Sequence, residues 1–252
     1  MELKDLTSSG STIDRGLSIV IYSNPGQGKT TLSTTLDPET TLIINADAGE
    51  GPLIEYEKRT GKGHIVFPLL KYVLDNEYEK VIDDLYQKLR TEKHPFKNIV
   101  LDNISEMENQ LILHLTQRHG KEAPTLREYG DAIFKMKQWI HDFRDLQYLG
   151  MNVIFNAWEF PMDLRNCEGS VITIVVPKVS KSLVPVLCGC VDAVGRMEVH
   201  EKSGKRWVRF RPNDQYMVKC QFAGIGGAND DAGELPDFSV IFGKIKEDKE
   251  TN

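Results

Sequence analysis

Cysteine is scarce in this chain. Its four residues in 252, Cys167, Cys188, Cys190 and Cys220, form no C-x-x-C pair, and no histidine stands at zinc-ligand spacing from them. That argues against a disulfide scaffold or a structural zinc site, and the expected state is reduced, structural thiols in the cytosol. Long apolar runs are missing too. None approaches the ~18 residues of a membrane span, and the polar opening from Met1 to Ser11 does not read as a secretory leader. Positive charge is not in excess. The 31 Lys and Arg against 37 Asp and Glu leave −6, which argues against a broadly basic surface while permitting a local one. Internal repeats and low-complexity segments are absent as well.

What is present is an alternation of short apolar runs with helix-period stretches. Strands are predicted at 17–22, 41–45, 64–67, 97–103 and 152–158, and helices at 29–36, 75–91, 104–119 and 127–146. Such a pattern predicts an α/β fold, a mostly parallel sheet with helices on both faces. Beyond residue 158 the pattern changes. Strands at 171–176, 193–199, 206–211 and 216–222, with one short helix near 181–187, predict an antiparallel extension. The expected organisation is a single domain over 1–243, with a core at 13–158, an extension at 159–243 and a polar tail at 244–252 that frays.

The first strand exits through S-N-P-G-Q-G-K-T, residues 23–30. The phosphate-binding loop is G-x-x-x-x-G-K-[ST]. Gly28, Lys29 and Thr30 match it, Gly26 adds a hinge, and Ser23 replaces the first glycine. The chemistry explains the residue types. Successive amides must turn inward toward phosphate oxygens, which glycine permits cheaply. The following helix presents free N–H groups to the same anion. Lys29 adds a full charge, and the Thr30 hydroxyl is a candidate ligand for Mg²⁺. Asn24, Pro25, Gly26, Gln27, Gly28, Lys29, Thr30 and Thr31 are therefore the candidate nucleotide cup, with ATP and Mg²⁺ as the expected ligands.

A second metal-supporting group is expected at a buried strand tip. "NIVLDN" offers Asp102, an acid emerging from an apolar run, where an unpaired charge would be costly. Asp102 or Asn103 also suits the N-cap of the next helix. Hydrolysis needs a group that positions water, and "TLIINADAGEG" supplies Asp47 or Glu50 just beyond the second strand. Asn156, toward the end of the strand expected at 152–158, is either a γ-phosphate sensor or a structural hydrogen-bonding residue.

Together "IDRGLSIVIYSNPGQGKTTL", "TLIINADAGEG", "IVLDNISEM", "LREYGDAIFKMKQWI", "NVIFNAWEF" and "VDAVGRMEV" resemble the phage P-loop nucleotide-binding proteins over roughly residues 13 to 240. These are a RecA-like family, some members of which are Sak-type single-strand annealing recombinases. The resemblance implies a RecA-like P-loop NTPase core that uses ATP and Mg²⁺. It implies a catalytic carboxylate after the second strand, where the family often has Glu and this chain has the shorter Asp47. It also implies assembly with the nucleotide between neighbouring subunits, to which Lys178, Lys181 or Arg196 would lend a cation.

A local basic surface is present in 196–219, which holds seven Lys and Arg against three acids. Read as a strand, "KRWVRFR" places Lys205, Trp207, Arg209 and Arg211 on one side and Arg206, Val208 and Phe210 on the other. The first set suits a single-stranded DNA platform, or equally the guarded edge of a sheet. The loops 118–127 and 159–170 are further candidate DNA contacts, the second carrying more acids than bases. The reading as a whole is a cytoplasmic, phage-type ATPase that binds single-stranded DNA and assists recombination, as a homo-oligomer alongside a single-strand binding protein. Its rival is a nucleotide-dependent assembly module with little turnover and no DNA contact. A small-molecule kinase fits less well, because no arginine-rich lid segment is visible.

Overall fold

The computed structural model describes residues 15–73, 77–165, 169–200, 203–222, 225 and 236–251. Cys167 lies outside them. The elements run β1 (Ser18–Ser23), α1 (Lys29–Ser33), β2 (Thr41–Asn45), α2 (Gly51–Thr60), β3 (Ile65–Pro68), α3 (Tyr78–Thr91), β4 (Asn98–Asp102), α4 (Ile104–Arg118) and α5 (Leu126–Asp145). They continue with β5 (Asn152–Arg165), β6 (Val171–Pro177), α6 (Val184–Cys190), β7 (Ala193–Val199), β8 (Arg206–Arg209), β9 (Lys219–Cys220) and α7 (Phe238–Thr251).

The sheet order is β3-β2-β4-β5-β1-β7-β8. Every pairing from β3 to β7 is parallel. Strand β1 sits near the middle and is buried along its whole length. Its alternate residues feed two cores, as the two-residue strand period requires. Val20 and Tyr22 join Trp139, Phe143 and Phe155 under α3, α4 and α5. Ile19 and Ile21 join Leu32, Ile43, Val208, Phe210 and Phe238 on the opposite face. The start of β1 is clamped to the start of β7. The guanidinium of Arg15 makes two bonds to Asp192, of 2.6 and 2.9 Å, and Asp192 also accepts from the Ser18 amide and hydroxyl. Burial works to raise the Asp192 carboxyl, and these bonds outweigh it and leave it below its usual range.

The mostly parallel α/β sheet with antiparallel strands toward the C-terminal end is the fold expected, and five details differ. First, β5 does not stop at residue 158. It runs on to Arg165 and pairs antiparallel with β6, so most of the expected 159–170 loop is one side of a two-stranded arm. Second, β7 joins the sheet parallel to β1, because α6 carries the chain back across the sheet before it; only β8 and β9 run antiparallel to β7. Third, the strand expected at 216–222 contracts to β9. Fourth, a helix not expected from the sequence, α7, anchors Phe238, Ile241 and Ile245 in the second core and runs on into the expected tail at 244–252. The first helix is also shorter than the expected 29–36.

Candidate functional site

The loop between β1 and α1 bends through Gly26 and Gly28, whose φ values of 78° and 107° lie in the left-handed region where a side chain would be strained. Lys29 folds back beneath this loop and is buried. Its Nζ donates to the Ser23 carbonyl at 3.1 Å, the Ser23 hydroxyl at 3.0 Å and the Asn24 carbonyl at 3.1 Å. Serine in place of the first pattern glycine thus supplies a partner for the lysine. Burial pulls the Lys29 ammonium down to about 8, against the attraction of Asp102, Asp47 and Glu159.

Thr30 faces the tip of β4. Its hydroxyl donates to Asp102 Oδ2 at 2.7 Å, although β4 is not the neighbour of β1: β5 lies between them. Asp102 is 3% exposed. Burial, reinforced by Asp47, pushes its carboxyl up to about 6, against the bonds from Thr30 and Asn156 and the charge of Lys29. The helix cap falls to Asn103, whose side chain accepts from the Glu106 amide at 2.9 Å. Asp102 is therefore not used as a cap.

Asp47 joins the same group. Its Oδ1 accepts from the Gly49 amide at 3.0 Å and its Oδ2 from the Asn103 side chain. Glu50 turns aside, accepting from Asn45 at 3.2 Å and lining a neighbouring cavity of about 350 Å³. The cavity over the loop, about 340 Å³, is bounded by Pro25, Gly26 and residues 28–31 together with Asp47, Asp102, Trp158 and Arg206, a size suited to a small ligand. Asn24 stands outside it, bonded to Glu159. Gln27 is half-buried, and its Oε1 accepts no hydrogen bond among the described residues.

Asn156 does not line the cavity. It is fully buried opposite Ile21, and its amide donates to Ser33 Oγ at 3.2 Å. Two residues further, Trp158 takes the wall position, because β5 continues past Asn156. Trp158 was the last residue of an expected strand and a large aromatic at its tip, which was signal enough to consider it. Arg206 was also missed, since it falls on the opposite parity from the basic platform.

The expected inter-subunit cations separate. Arg196 is committed within the chain: Nε bonds Glu159 at 2.9 Å, Nη1 bonds Glu198 at 2.8 Å, and the guanidinium lies 4.2 Å from the Tyr216 ring centre. Lys178 lies 5.0 Å from the Trp158 ring centre, and Lys181 is exposed. On the platform, Glu198 occupies the middle. It accepts from Trp207 Nε1 at 3.1 Å and Arg209 Nη2 at 3.2 Å. Burial works to raise its carboxyl, but these donors hold it below the usual range. Lys205 is exposed and Arg211 is engaged elsewhere. In loop 118–127, Arg118 pairs with Glu79 at 2.5 Å.

The donor set tests which ligand the site fits. Among the described residues no three His, Cys, Asp or Glu side chains cluster as a metal cage. A hydroxyl and one carboxylate at the end of a phosphate loop instead suit Mg²⁺, which keeps waters and takes substrate phosphates as ligands. Left-handed glycines, a buried lysine and this oxygen pair fit a magnesium nucleotide.

Sheet order, loop and strand-tip acid together define a P-loop NTPase of RecA-like fold. Residues 15–221 match the AAA_24 family, an AAA domain, and the chain belongs to that family. No curated protein matches it. Among solved structures it is similar to the flagellar accessory protein FlaH from Methanocaldococcus jannaschii, at 12% identity and a TM-score of 0.41, over 79% of this chain and 80% of that one.

Proposed function

We propose that the protein is a magnesium-dependent ATPase in which Lys29, Thr30, Asp47 and Asp102 are the working side chains. The observation that carries the reading is the 2.7 Å bond from Thr30 to Asp102, which brings the loop hydroxyl and the strand-tip acid into one cation-binding pair. Lys29 and the loop amides hold the phosphates. Thr30 and Asp102 would hold Mg²⁺, whose charge would offset that of the phosphate oxygens. Asp47, fixed by Gly49 and Asn103, orients the attacking water. Water attacks the γ-phosphorus, the bond to the bridging oxygen breaks, and ADP and phosphate leave. Placement and charge stabilisation supply the catalysis. Glu50 and Asn156 hold neighbouring side chains in place, Glu50 through Asn45 and Asn156 through Ser33 and Asp102.

The finer role is recombination or strand annealing on single-stranded DNA, as a cytoplasmic homo-oligomer with a single-strand binding protein as partner, in a phage-infected host. It rests on the resemblance of the motifs. Lys205 is the exposed cation of its DNA face, and nucleic acid would have to displace Glu198 from Trp207 and Arg209. The rival role, nucleotide-driven assembly, draws support from exposed apolar side chains on α5: Leu126 at 92%, Phe134 at 75% and Tyr129 at 43%.

ATP hydrolysis measured with and without single-stranded DNA, at two salt concentrations, tests both. DNA stimulation that weakens with salt supports the recombination role. Nucleotide-dependent oligomers without a DNA effect support assembly. Failure of calorimetry to detect any Mg-nucleotide uptake removes the ATPase reading itself.

Among the described residues no helix is long and apolar enough to cross a membrane. Burial pushes the Cys188 thiol up to about 12, which leaves little thiolate at neutral pH.

A further inference from the structure

The phosphate loop has a cation above it that the loop motif does not supply. Arg206 opens β8, the outermost strand of the main sheet, and reaches back over the loop. A Cβ built on Gly28 would lie 3.2 Å from Arg206 Nε and 3.8 Å from its Cζ. The guanidinium therefore rests against the backbone of the glycine that precedes Lys29, and it lines the cavity shared with Thr30 and Asp102.

Its place is set by the packing beneath it. Val208 and Phe210, on the same side of the strand, are buried in the second core. They sit directly over Gly195 of β7, where an added Cβ would come within 2.5 Å of Val208 and 2.6 Å of Phe210. A side chain at 195 would lift the strand and withdraw Arg206 from the loop. Trp207 and Arg209 alternate to the other side and are bound to Glu198. Arg206 differs from the other basic residues here. Arg196 and Arg209 each have carboxylate partners, whereas Arg206 has no hydrogen bond or ion pair among the described residues. A planar guanidinium with five donors, held over phosphate-binding amides without a counter-ion, matches a polyphosphate.

We propose that Arg206 is a phosphate-binding residue of this site, contributed in cis by the β7–β8 hairpin; the proposal rests on the nucleotide reading above. The extra cation sought from a neighbouring subunit is thus present in the same chain. Arg206 contacts the phosphate chain from the hairpin side, while Thr30 and Asp102 act from the β4 side. It neutralises charge that Lys29, already bonded to three oxygens of its own loop, meets only in part.

Calorimetric titration with Mg-ADP and with a non-hydrolysable Mg-ATP analogue tests this on wild type, Arg206→Ala, Arg206→Lys and Lys29→Ala. Arg206 is exposed, so its truncation should leave the thermal midpoint in place. The expected result is a ten- to hundred-fold loss of affinity in Arg206→Ala, the worth of a charged hydrogen bond. Arg206→Lys should recover part of it, and the affinity of Arg206→Ala should depend less steeply on salt. The loss should be the same at low and high protein concentration. Wild-type affinity in Arg206→Ala would overturn the proposal while leaving the nucleotide site standing. So would a loss seen only where the chain self-associates, which would mean action across a subunit interface. If wild type bound neither nucleotide, the underlying nucleotide reading would fall with it.

Discussion

Asp102 should be destabilising in the ligand-free protein, and replacing it should make the fold stronger while disabling the site. Burial and the nearby Asp47 push its carboxyl from an ordinary value near 3.8 up to about 6. The difference corresponds to about 3 kcal/mol. The sign follows from linkage. A carboxyl raised in the folded state holds its proton more tightly there than in the unfolded chain, so its contribution is intact below about pH 4 and is lost as the pH rises through 6. Asp102→Asn keeps the shape and still accepts from Thr30, but carries no charge to bury. At pH 7, without nucleotide, the variant should be more stable than wild type by about 2–3 kcal/mol, or roughly 5–10 °C in Tm at this chain length. The gap should close as the pH is lowered toward 4. Adding Mg-ATP should narrow or reverse the gap, because wild type, which keeps the metal carboxylate, gains more ligand stabilisation than the variant. Thermal melts by circular dichroism across pH 4–8, with and without Mg-ATP, read all three effects. A variant less stable than wild type at pH 7, or a gap that does not change with pH, would refute the account of Asp102 as a strained, metal-ready acid.

Lys29→Ala should leave the apo fold intact, since it removes an ammonium that burial already disfavours; the Mg-ATP thermal shift should vanish, with affinity falling by tenfold or more. Gly195→Ala should cost about 1–3 kcal/mol by overpacking, because its methyl would meet Val208 and Phe210; denaturant melts measure the cost, and nucleotide affinity should fall with it. Arg15→Ala should cost about 3–5 kcal/mol by leaving Asp192 buried beside Ser18 without its ion partner, and Arg15→Ala with Asp192→Asn should recover much of it. Glu198→Gln should free Arg209 and Trp207 from a full charge, so any single-stranded DNA affinity of that face should rise in a filter-binding assay.

The strands that carry the site were legible because each is a short apolar run ending in a polar residue. β1 ends at Ser23, β2 at Asn45 and β4 at Asp102, and those ends are where the chemistry gathers. Burial on both faces leaves only the tip free to be polar, and that makes such strands readable. The continuation of β5 was hidden for the converse reason. Residues 159–165 read as a loop because Glu159, Pro161, Asp163 and Arg165 interrupt the apolar pattern. In the fold Phe160, Met162 and Leu164 alternate with them, and Met162 and Leu164 pack against the first core, a two-residue period masked by the proline and the charges. The direction of β7 was equally unreadable, since α6 sets it and the composition of β7 does not. Asp47 and Glu50 were both candidates in the sequence, Asp47 being nearer the strand, and they part because α2 begins at Gly51 and carries Glu50 toward the neighbouring cavity. Arg206 escaped notice because a single arginine beside Val208 and Phe210 looks like the rim of a packed face. Only the close approach at Gly28 gives it a role.

The position of β1 also has a bearing on synthesis. The phosphate loop precedes both strands that flank β1 by more than a hundred residues: one begins at Asn152 and the other at Ala193. A nascent polypeptide that has emerged only as far as the end of α5 has nothing to pair with Ser18–Ser23, and nothing to bridge it to Asp102. Nucleotide capture should therefore begin only after β5 and β7 have been synthesised. Chains cut short before that point should remain blind to ATP, however faithfully they carry the motif.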